Sequence, residues 1–226
     1  MTKFTFAQRE EGFDNHIEHS IRGYTNLWND ILKYSEYFVE DESKVVDIGC
    51  STGKLLKAMI AQNTFAPNAS YVGIEIEEDF FKTYDEDEQM NSNLSYHRGD
   101  VRSYEFDNCN LVTSIFTLQF IPEKERTSII KQIYDGLNSG GAFIFAEKTI
   151  AEHAKIQEIR TFTYYDYKRE HFSSDDILDK EKQLRHMMKL NTRKELMNKC
   201  ATAGFEFNKI ESFWQNHSFT AFIAIK

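Results

Sequence analysis

The sequence is poor in cysteine and proline, and it lacks repeats. Its 226 residues include three cysteines, with no Cys-x-x-Cys pair, and two prolines. Scattered cysteines argue against a disulfide framework and a zinc site, and no two histidines are spaced i, i+4, so no metal is expected. No low-complexity or linker-like stretch divides the chain, which favours a single domain over residues 1–226.

Long apolar runs and an excess of basic charge are also missing. No stretch reaches the apolar length of a membrane span, and residues 1–11 lack a signal-peptide core, so we expect a cytoplasmic protein without a membrane partner. Lysine and arginine number 27 against 36 acidic residues, a formal net charge of -9. Because nucleic-acid surfaces are basic, direct nucleic-acid binding is not expected.

The most informative stretch is a glycine-rich turn between an apolar strand and an apolar helix. Val45 and Val46 precede the run Asp47–Gly53, which reads Asp-x-Gly-x-Ser-x-Gly, and a helical apolar pattern begins at Leu55. Glycines let the backbone turn sharply and approach a ligand, and the helix N-terminus offers unpaired N–H groups. The stretch predicts a nucleotide-like ligand at the carboxyl end of a parallel sheet.

Several chemistries fit such a turn. A phosphate-binding P-loop needs four residues between its glycines, and Gly49 and Gly53 enclose three. A dinucleotide fingerprint would place a second glycine where Ser51 stands. Gly-x-Ser-x-Gly also matches the nucleophile elbow of hydrolases, but no triad signature follows downstream. A ligand-free βα turn and the first motif of class I S-adenosylmethionine-dependent methyltransferases complete the alternatives.

Acidic residues end the second and third predicted strands. Glu75 closes the strand predicted over 70–75, and Asp100 follows the strand predicted over 94–98. A carboxylate at the first of these positions in a doubly wound sheet accepts hydrogen bonds from both hydroxyls of a ribose. The plainer interpretations are a solvated loop glutamate and a turn aspartate. We predict that Glu75 binds ribose.

The remainder continues the alternation of strands and helices. The pattern predicts helices over 24–38, 77–90, 124–137 and 192–203, strands over 110–115 and 142–147, and closing antiparallel strands over 205–213 and 217–225. Residues 148–190 are charged and aromatic, and we predict two or three helices forming a lid above the cofactor site. The predicted fold is α/β, a Rossmann-like seven-stranded sandwich with an N-terminal helical cap over 1–40.

With these residues identified, the chain resembles class I methyltransferases. It is more closely similar to the carboxy-S-adenosylmethionine synthases of the transfer-RNA wobble-uridine pathway, through Ser20–Asn26, Phe116–Phe120, Glu147-Lys148 and Tyr165–Arg169. That family converts S-adenosylmethionine and prephenate into carboxy-S-adenosylmethionine and phenylpyruvate. In it, carbon dioxide released from prephenate is captured by a carbanion of the sulfonium methyl. Its members are usually dimers with a lid shared between subunits.

The resemblance implies a cofactor and a set of residues that bind it. The cofactor would be S-adenosylmethionine, its carboxylated form or S-adenosylhomocysteine, and the other ligand a small molecule, prephenate or a methyl acceptor. The implied cofactor contacts are Tyr24, Asp47, Gly49, Cys50, Ser51, Gly53, Glu75, Ile76, Asp100, Val101 and Ile115. In the superfamily, an acid at the position of Asp100 usually contacts the adenine amino group. No general base is identified, so catalytic residues stay unassigned.

Two positions depart from the family pattern. Ile115 stands where the family has asparagine, and Lys182 stands where an arginine grips the carboxylate of the carboxylated cofactor, with Arg185 one turn later. Lysine supplies a point charge and cannot reproduce the bidentate geometry of arginine. We predict that Lys182 or Arg185 binds this carboxylate. An ordinary methyltransferase and a non-catalytic S-adenosylmethionine-binding protein remain alternatives.

Overall fold

The computed structural model describes residues 13–226, with side chains from residue 16 onward. The first twelve residues of the predicted N-terminal cap therefore lie outside the described part. The helices are α1 (Phe13–Ser20), α2 (Tyr24–Ser35), α3 (Lys54–Gln62), α4 (Tyr84–Met90), α5 (Glu123–Gly136), α6 (Ala154–Arg169), α7 (Ser174–Met187) and α8 (Arg193–Ala203). The strands are β1 (Lys44–Ile48), β2 (Ser70–Glu75), β3 (Leu94–Arg98), β4 (Cys109–Ile115), β5 (Leu137–Ile150), β6 (Asn191–Thr192), β7 (Ile210–Asn216) and β8 (Phe219–Ile225).

One mixed sheet organises the described residues. Its strand order is β3-β2-β1-β4-β5-β8-β7, with β1 to β5 parallel and β8 antiparallel to both of its neighbours. The predicted Rossmann-like α/β sheet with a closing antiparallel pair is confirmed. The two-residue β6, which the sequence did not indicate, pairs with Thr149 and Ile150 beyond the main path.

Both faces of the sheet are covered by helices. Val45 packs into the core formed with α2 and α3, whereas its neighbour Val46 packs into the core formed with α5 and α8. Both valines are fully buried because successive side chains of a strand point to opposite faces. This two-sided burial explains why two apolar residues stand next to each other in β1.

Several predicted boundaries are wrong. The helix predicted over 24–38 ends at Ser35, and the strand predicted over 205–213 is a 3₁₀ turn over Phe207–Lys209 followed by β7, which begins at Ile210. Residues 77–90 form a 3₁₀ turn over Glu78–Thr83 followed by α4, because Phe80 turns inward and is buried there. β5 begins at Leu137 and not at residue 142. The register between β4 and β5 shifts from Cys109↔Leu137 to Leu111↔Ala142. The bulge at this shift contains residues 138–141, so they belong to β5 and not to a separate turn.

Candidate active site

A cavity of about 500 Å³ lies at the carboxyl edge of the sheet, beneath α1, α6 and α7. This volume is within the range of about 300–1,000 Å³ typical of small-molecule sites. The lining residues are His16, Ile17, Ser20, Ile21, Gly49, Ser51, Glu75, Ile76, Glu77, Phe80, Ile115, Phe116, Thr117, Gln119, Phe120, Lys148, Tyr164, Lys168, Lys180, Leu184, Met187, Met188 and Phe219. They come from strands and from helices, so the cavity is a product of the tertiary fold.

The glycine turn after β1 forms part of the cavity wall through its backbone. Gly49 has φ +70°, and its N–H donates to the Ile74 carbonyl at 2.8 Å. A Cβ atom at Gly49 would overlap the Thr117 side chain, so the close approach of this loop to β4 requires glycine. Ser51 also lies in the left-handed region, with φ +46°. The turn is therefore shaped for close backbone approach to a ligand.

Glu75 stands at the end of β2 and lines the same wall. One carboxylate oxygen accepts from the Ser51 N–H at 2.9 Å, and the other accepts from the N–H groups of Ile76 and Glu77 at 2.8 and 2.9 Å. The side chain is almost completely buried, and burial raises the pKa of its carboxyl group while these hydrogen bonds oppose the rise. Three backbone N–H donors therefore fix the Glu75 carboxylate at the carboxyl end of β2.

Asp47 lies beneath the turn and is not part of the cavity wall. Its carboxylate accepts a hydrogen bond from the Thr113 hydroxyl at 2.6 Å, across the β1–β4 pairing. Burial raises the pKa of Asp47 to about 7, and the charge of Glu75 acts in the same direction. Asp47 is thus a buried acid between the turn and the neighbouring strand.

An aromatic pair supports the turn from below. The Tyr84 hydroxyl donates to the Ser51 carbonyl, and its ring stacks on Tyr96 with centroids 3.6 Å apart. The Tyr96 hydroxyl donates to Asp87 at 3.2 Å. Cys50 Sγ lies 3.5 Å from the Tyr84 hydroxyl, and burial raises the pKa of this thiol. Cys50 is therefore a packed structural residue and not a reactive thiolate.

The segment after β4 is fixed by a buried carboxylate. Glu147 accepts from the N–H groups of Leu118 and Gln119 at 3.0 and 2.8 Å, and burial raises its pKa to about 8. The Gln119 side chain in turn accepts from the Lys148 N–H at 3.0 Å and donates to the Phe116 carbonyl at 3.2 Å. β5 therefore sets the position of the residues that line the centre of the cavity.

Lysine side chains gather where β5 meets α6 and α7. Lys148, Lys168 and Lys180 line the cavity there, and Lys148 Nζ lies 5.0 Å from the centre of the Tyr164 ring. We call Lys148, Tyr164, Lys168 and Lys180 the basic end of the cavity. Its acidic end consists of Gly49, Ser51, Glu75 and Glu77. Three strand spacings separate β2 from β5, about 14 Å along the sheet edge.

The structure brings some of the predicted cofactor residues to the cavity and leaves others behind it. Gly49, Ser51, Glu75, Ile76 and Ile115 line the wall. The other predicted residues that the structure describes do not line the wall. Asp47, Cys50 and Val101 are buried in the core, and Gly53 lies against the Tyr96 side chain. The ring centre of Tyr24 is 6.4 Å from that of Phe116. Their contacts with a cofactor remain predictions.

Asp100 faces away from the cavity wall. Its carboxylate accepts from the Arg102 Nε at 2.9 Å and from the Arg102 N–H at 2.9 Å. These hydrogen bonds hold the pKa of Asp100 below its usual value. A contact with adenine would require Asp100 to share its carboxylate with this arginine, and this role stays a prediction.

Lys182 and Arg185 do not line the cavity. On α7, Lys180 and Leu184 face it, four residues apart, whereas Lys182 is rotated by about 200° from Lys180. Lys182 is 76% exposed and lies 3.6 Å from Asp179, and Arg185 is also exposed. Their predicted role toward a carboxylate is not supported by this position, and it remains untested.

Sequence reasoning overlooked Lys148, near the end of β5, and Gln119, in the turn after β4, although both occur in motifs that it had singled out. The available signal was Glu147-Lys148 at the end of a predicted parallel strand, since such ends meet at one edge. Within residues 13–226, no group of three or more histidine, cysteine, aspartate or glutamate side chains is arranged to hold a metal. No helix among these residues is long and apolar enough to cross a membrane.

Comparisons with known proteins agree with this geometry. A family model described as a methyltransferase domain matches residues 45–141. Human N-acetylserotonin methyltransferase, solved in complex with SAM, has a similar fold, with a TM-score of 0.55 and 15% identity. The match covers 81% of this chain and 47% of that enzyme, so the chain spans about half of its length.

Two curated relatives extend the similarity over the whole chain. The carboxy-S-adenosyl-L-methionine synthase of Staphylococcus epidermidis is 33% identical, over 99% of this chain and 96% of that protein. The synthase of the same name from Shewanella oneidensis is 30% identical, over 100% of this chain and 94% of its own. The chain therefore belongs to the carboxy-S-adenosyl-L-methionine synthase family, among the transferases with the methyltransferase fold.

Proposed function

We propose that this protein binds S-adenosylmethionine at the acidic end of the cavity and carboxylates its methyl group with carbon dioxide from prephenate bound at the basic end. The methyl proton and the ring hydroxyl that prephenate loses would leave together as water, with phenylpyruvate as the second product. The observation that carries the proposal is the presence of both ends in one cavity of about 500 Å³. A cationic cofactor and an anionic second substrate need opposite charges, and the two ends supply them.

The acidic end fits the nucleoside part of the cofactor. The Gly49 turn permits close approach, and three backbone donors position the two oxygens of Glu75, leaving about one of the four lone-pair sites, on the oxygen that Ser51 contacts, for a ribose hydroxyl. The cofactor supplies a methyl group activated by its sulfonium charge. We infer that Glu75 orients the ribose and that the negative potential of Glu75 and Glu77 favours the cation.

The centre and the basic end fit an anionic aromatic or ring-containing acid. Phe116, Phe120, Tyr164 and Met188 provide an apolar lining, and Lys148 adds positive charge beside it. Apolar walls exclude water from a reaction in which released carbon dioxide must be captured and not lost. Prephenate carries two carboxylates, so the lysines would both attract and orient it.

We also propose a homodimer in which the α6–α7 segment acts as a lid within a single domain. Ile156, Ile159 and Phe162 of α6 lie three residues apart along the helix and are 47%, 55% and 61% exposed. Such a stripe favours burial against a second copy. Sedimentation analysis of Phe162→Glu, which should be monomeric, tests this point. A place in transfer-RNA wobble-uridine modification and a cytoplasmic location follow from the same family assignment.

The direct test reads the mass of the cofactor. Purified protein is incubated with S-adenosylmethionine, with and without prephenate labelled with ¹³C in the carboxylate that is lost. We expect a prephenate-dependent gain equal to one labelled carbon dioxide. Glu75→Ala should lose the product, whereas Glu78→Ala, at an exposed acid outside the cavity wall, should keep it.

Two results would replace the proposal. Tight cofactor binding with no mass gain, together with S-adenosylhomocysteine formation when candidate acceptors are added, would identify an ordinary methyltransferase. Cofactor binding without either product would identify a non-catalytic binding protein.

A further inference from the structure

The basic end contains a buried ion pair that joins the sheet to α7. Lys148 Nζ lies 3.0 and 3.2 Å from the two carboxylate oxygens of Glu181. The side chains are only 11% and 13% exposed. Lys148 lines the cavity, while Glu181 approaches it from outside the lining. The cavity therefore has a cation whose counter-ion sits on another element.

The surroundings of Lys148 make a carboxylate partner necessary. Its Nζ lies 5.0 and 6.0 Å from the ring centres of Tyr164 and Phe219. Aromatic faces attract an ammonium, but they do not replace the hydrogen bonds that it loses on leaving water. A buried ammonium deprived of its carboxylate is strongly destabilised, so Lys148 needs either Glu181 or another anion.

The pair also contributes to the attachment of α7. Ile177 is the one residue of this helix that is almost fully buried, and most of the other side chains of α7 are exposed. An element with so little buried apolar surface detaches at a low free-energy cost. A change in the partner of Lys148 would therefore be transmitted to α7.

From this geometry we propose that Lys148 is the carboxylate-binding group for the second substrate, and that Glu181 is a built-in competitor that the substrate carboxylate displaces. The inference rests on the proposed function, because it assigns a subsite for its anionic substrate. The exchange replaces one carboxylate by another at the same ammonium, so no buried charge is left alone. A neutral methyl acceptor could not make this exchange, which would give the site its preference for acids.

Binding of phenylpyruvate, a monocarboxylate probe, to protein saturated with S-adenosylhomocysteine tests the proposal without turnover. Glu181→Gln removes the competing charge and retains the shape, so calorimetry should show binding at least about fivefold tighter than for the wild type. Lys148→Met should weaken binding at least about fivefold. The double variant should gain nothing over Lys148→Met, because Glu181 acts through Lys148.

Controls separate this role from a purely structural one. Lys155→Met, at an exposed lysine of α6 outside the cavity lining, should leave the affinity for phenylpyruvate unchanged. S-Adenosylhomocysteine should bind every variant within about twofold of the wild type, as expected for distant sites. Lys148→Met leaves the Glu181 carboxylate buried without its partner, which lowers stability. The double variant has two neutral side chains there, so probe binding can still be measured if Lys148→Met unfolds at the assay temperature.

Three results would overturn the inference. They are unchanged or weaker probe binding in Glu181→Gln, unchanged binding in Lys148→Met, and a lack of probe binding in both the wild type and Glu181→Gln. The proposed function fails separately, by the absence of the carbon dioxide mass gain. Probe binding that follows the expected pattern without that gain would support the anion subsite and reject the synthase reaction.

Discussion

The two ends of the cavity are constructed differently. At the acidic end, the glycine turn and Glu75 are held by backbone hydrogen bonds within β1, β2 and the loops that follow them. At the basic end, Lys148 is held by the side chain of Glu181 on α7. The first arrangement is local to the sheet edge, and the second joins elements more than thirty residues apart in the chain.

This difference suggests a division of work. A site fixed by backbone donors is preorganised, so it binds without having to order itself first. A site closed by an ion pair on a poorly buried helix has two available arrangements, with the pair intact or exchanged. We infer that the acidic end recognises what all transferases of this fold share, and that the basic end carries the specificity of this family.

The largest expected effect on the free energy of unfolding follows from removing the Glu147 carboxylate, which fixes the centre of the cavity. Glu147→Ala leaves the N–H groups of Leu118 and Gln119 buried without an acceptor, and we expect it to lower the free energy of unfolding by about 3 kcal/mol. Urea denaturation measures this change. Glu147→Gln keeps one acceptor and should lose less than half as much, and an equal loss would contradict the hydrogen-bonding explanation.

Removing the carboxylate of the acidic end should affect binding more than stability. Glu75→Ala eliminates the carboxylate that would accept from the ribose, and we expect S-adenosylmethionine to bind about 100-fold more weakly. Calorimetric titration gives the affinity, and circular dichroism confirms that the variant is folded. Glu78→Ala is the matched control, and a similar loss there would show that only the general negative potential matters.

Two glycine positions separate the cost of a steric overlap from the cost of a left-handed backbone conformation. Gly49 and Gly140 both have positive φ, but a Cβ would overlap Thr117 at Gly49 and would meet nothing within 4 Å at Gly140. Gly140→Ala should cost about 1 kcal/mol of stability from backbone strain alone. Gly49→Ala should cost about 1 kcal/mol more and also weaken cofactor binding. Equal melting temperatures would contradict the packing at the turn.

The last expected effect is a pH dependence of the free energy of unfolding. The pKa of Asp47 is raised to about 7 in the folded state, so the folded protein holds this proton more tightly than the unfolded chain. Stability should therefore fall as pH rises from about 4 to 7, the range between the ordinary pKa of an aspartate and the raised pKa of Asp47. Asp47→Asn should show a shallower slope in urea denaturation measured across this range. The raised pKa of Glu147 contributes with the same sign in both proteins.

Most of the acidic end was predictable from residue order, because its parts follow consecutive strands. Gly49, Ser51 and Glu75 were expected at one sheet edge, and the structure brings them together. The family assignment also removes the hydrolase and dinucleotide interpretations of the turn. The basic end was not predictable in this way, because the facing side of α7 depends on how the helix docks. The sequence indicated Lys182, whereas Lys180 and Leu184 face the cavity.

By itself, the sequence determined the alternation of strands and helices, the sharp turn at Gly49 and the acids that end β2 and β3. These properties arise from local backbone preferences and from periodic burial, which neighbouring residues encode. Only the tertiary structure decided that Asp100 pairs with Arg102, that Glu147 holds the segment after β4, and that Lys148 meets Glu181. The last two contacts join elements about thirty residues apart, so packing sets them, whereas the Asp100–Arg102 pair is local and depends on which rotamers the two side chains adopt in the folded loop.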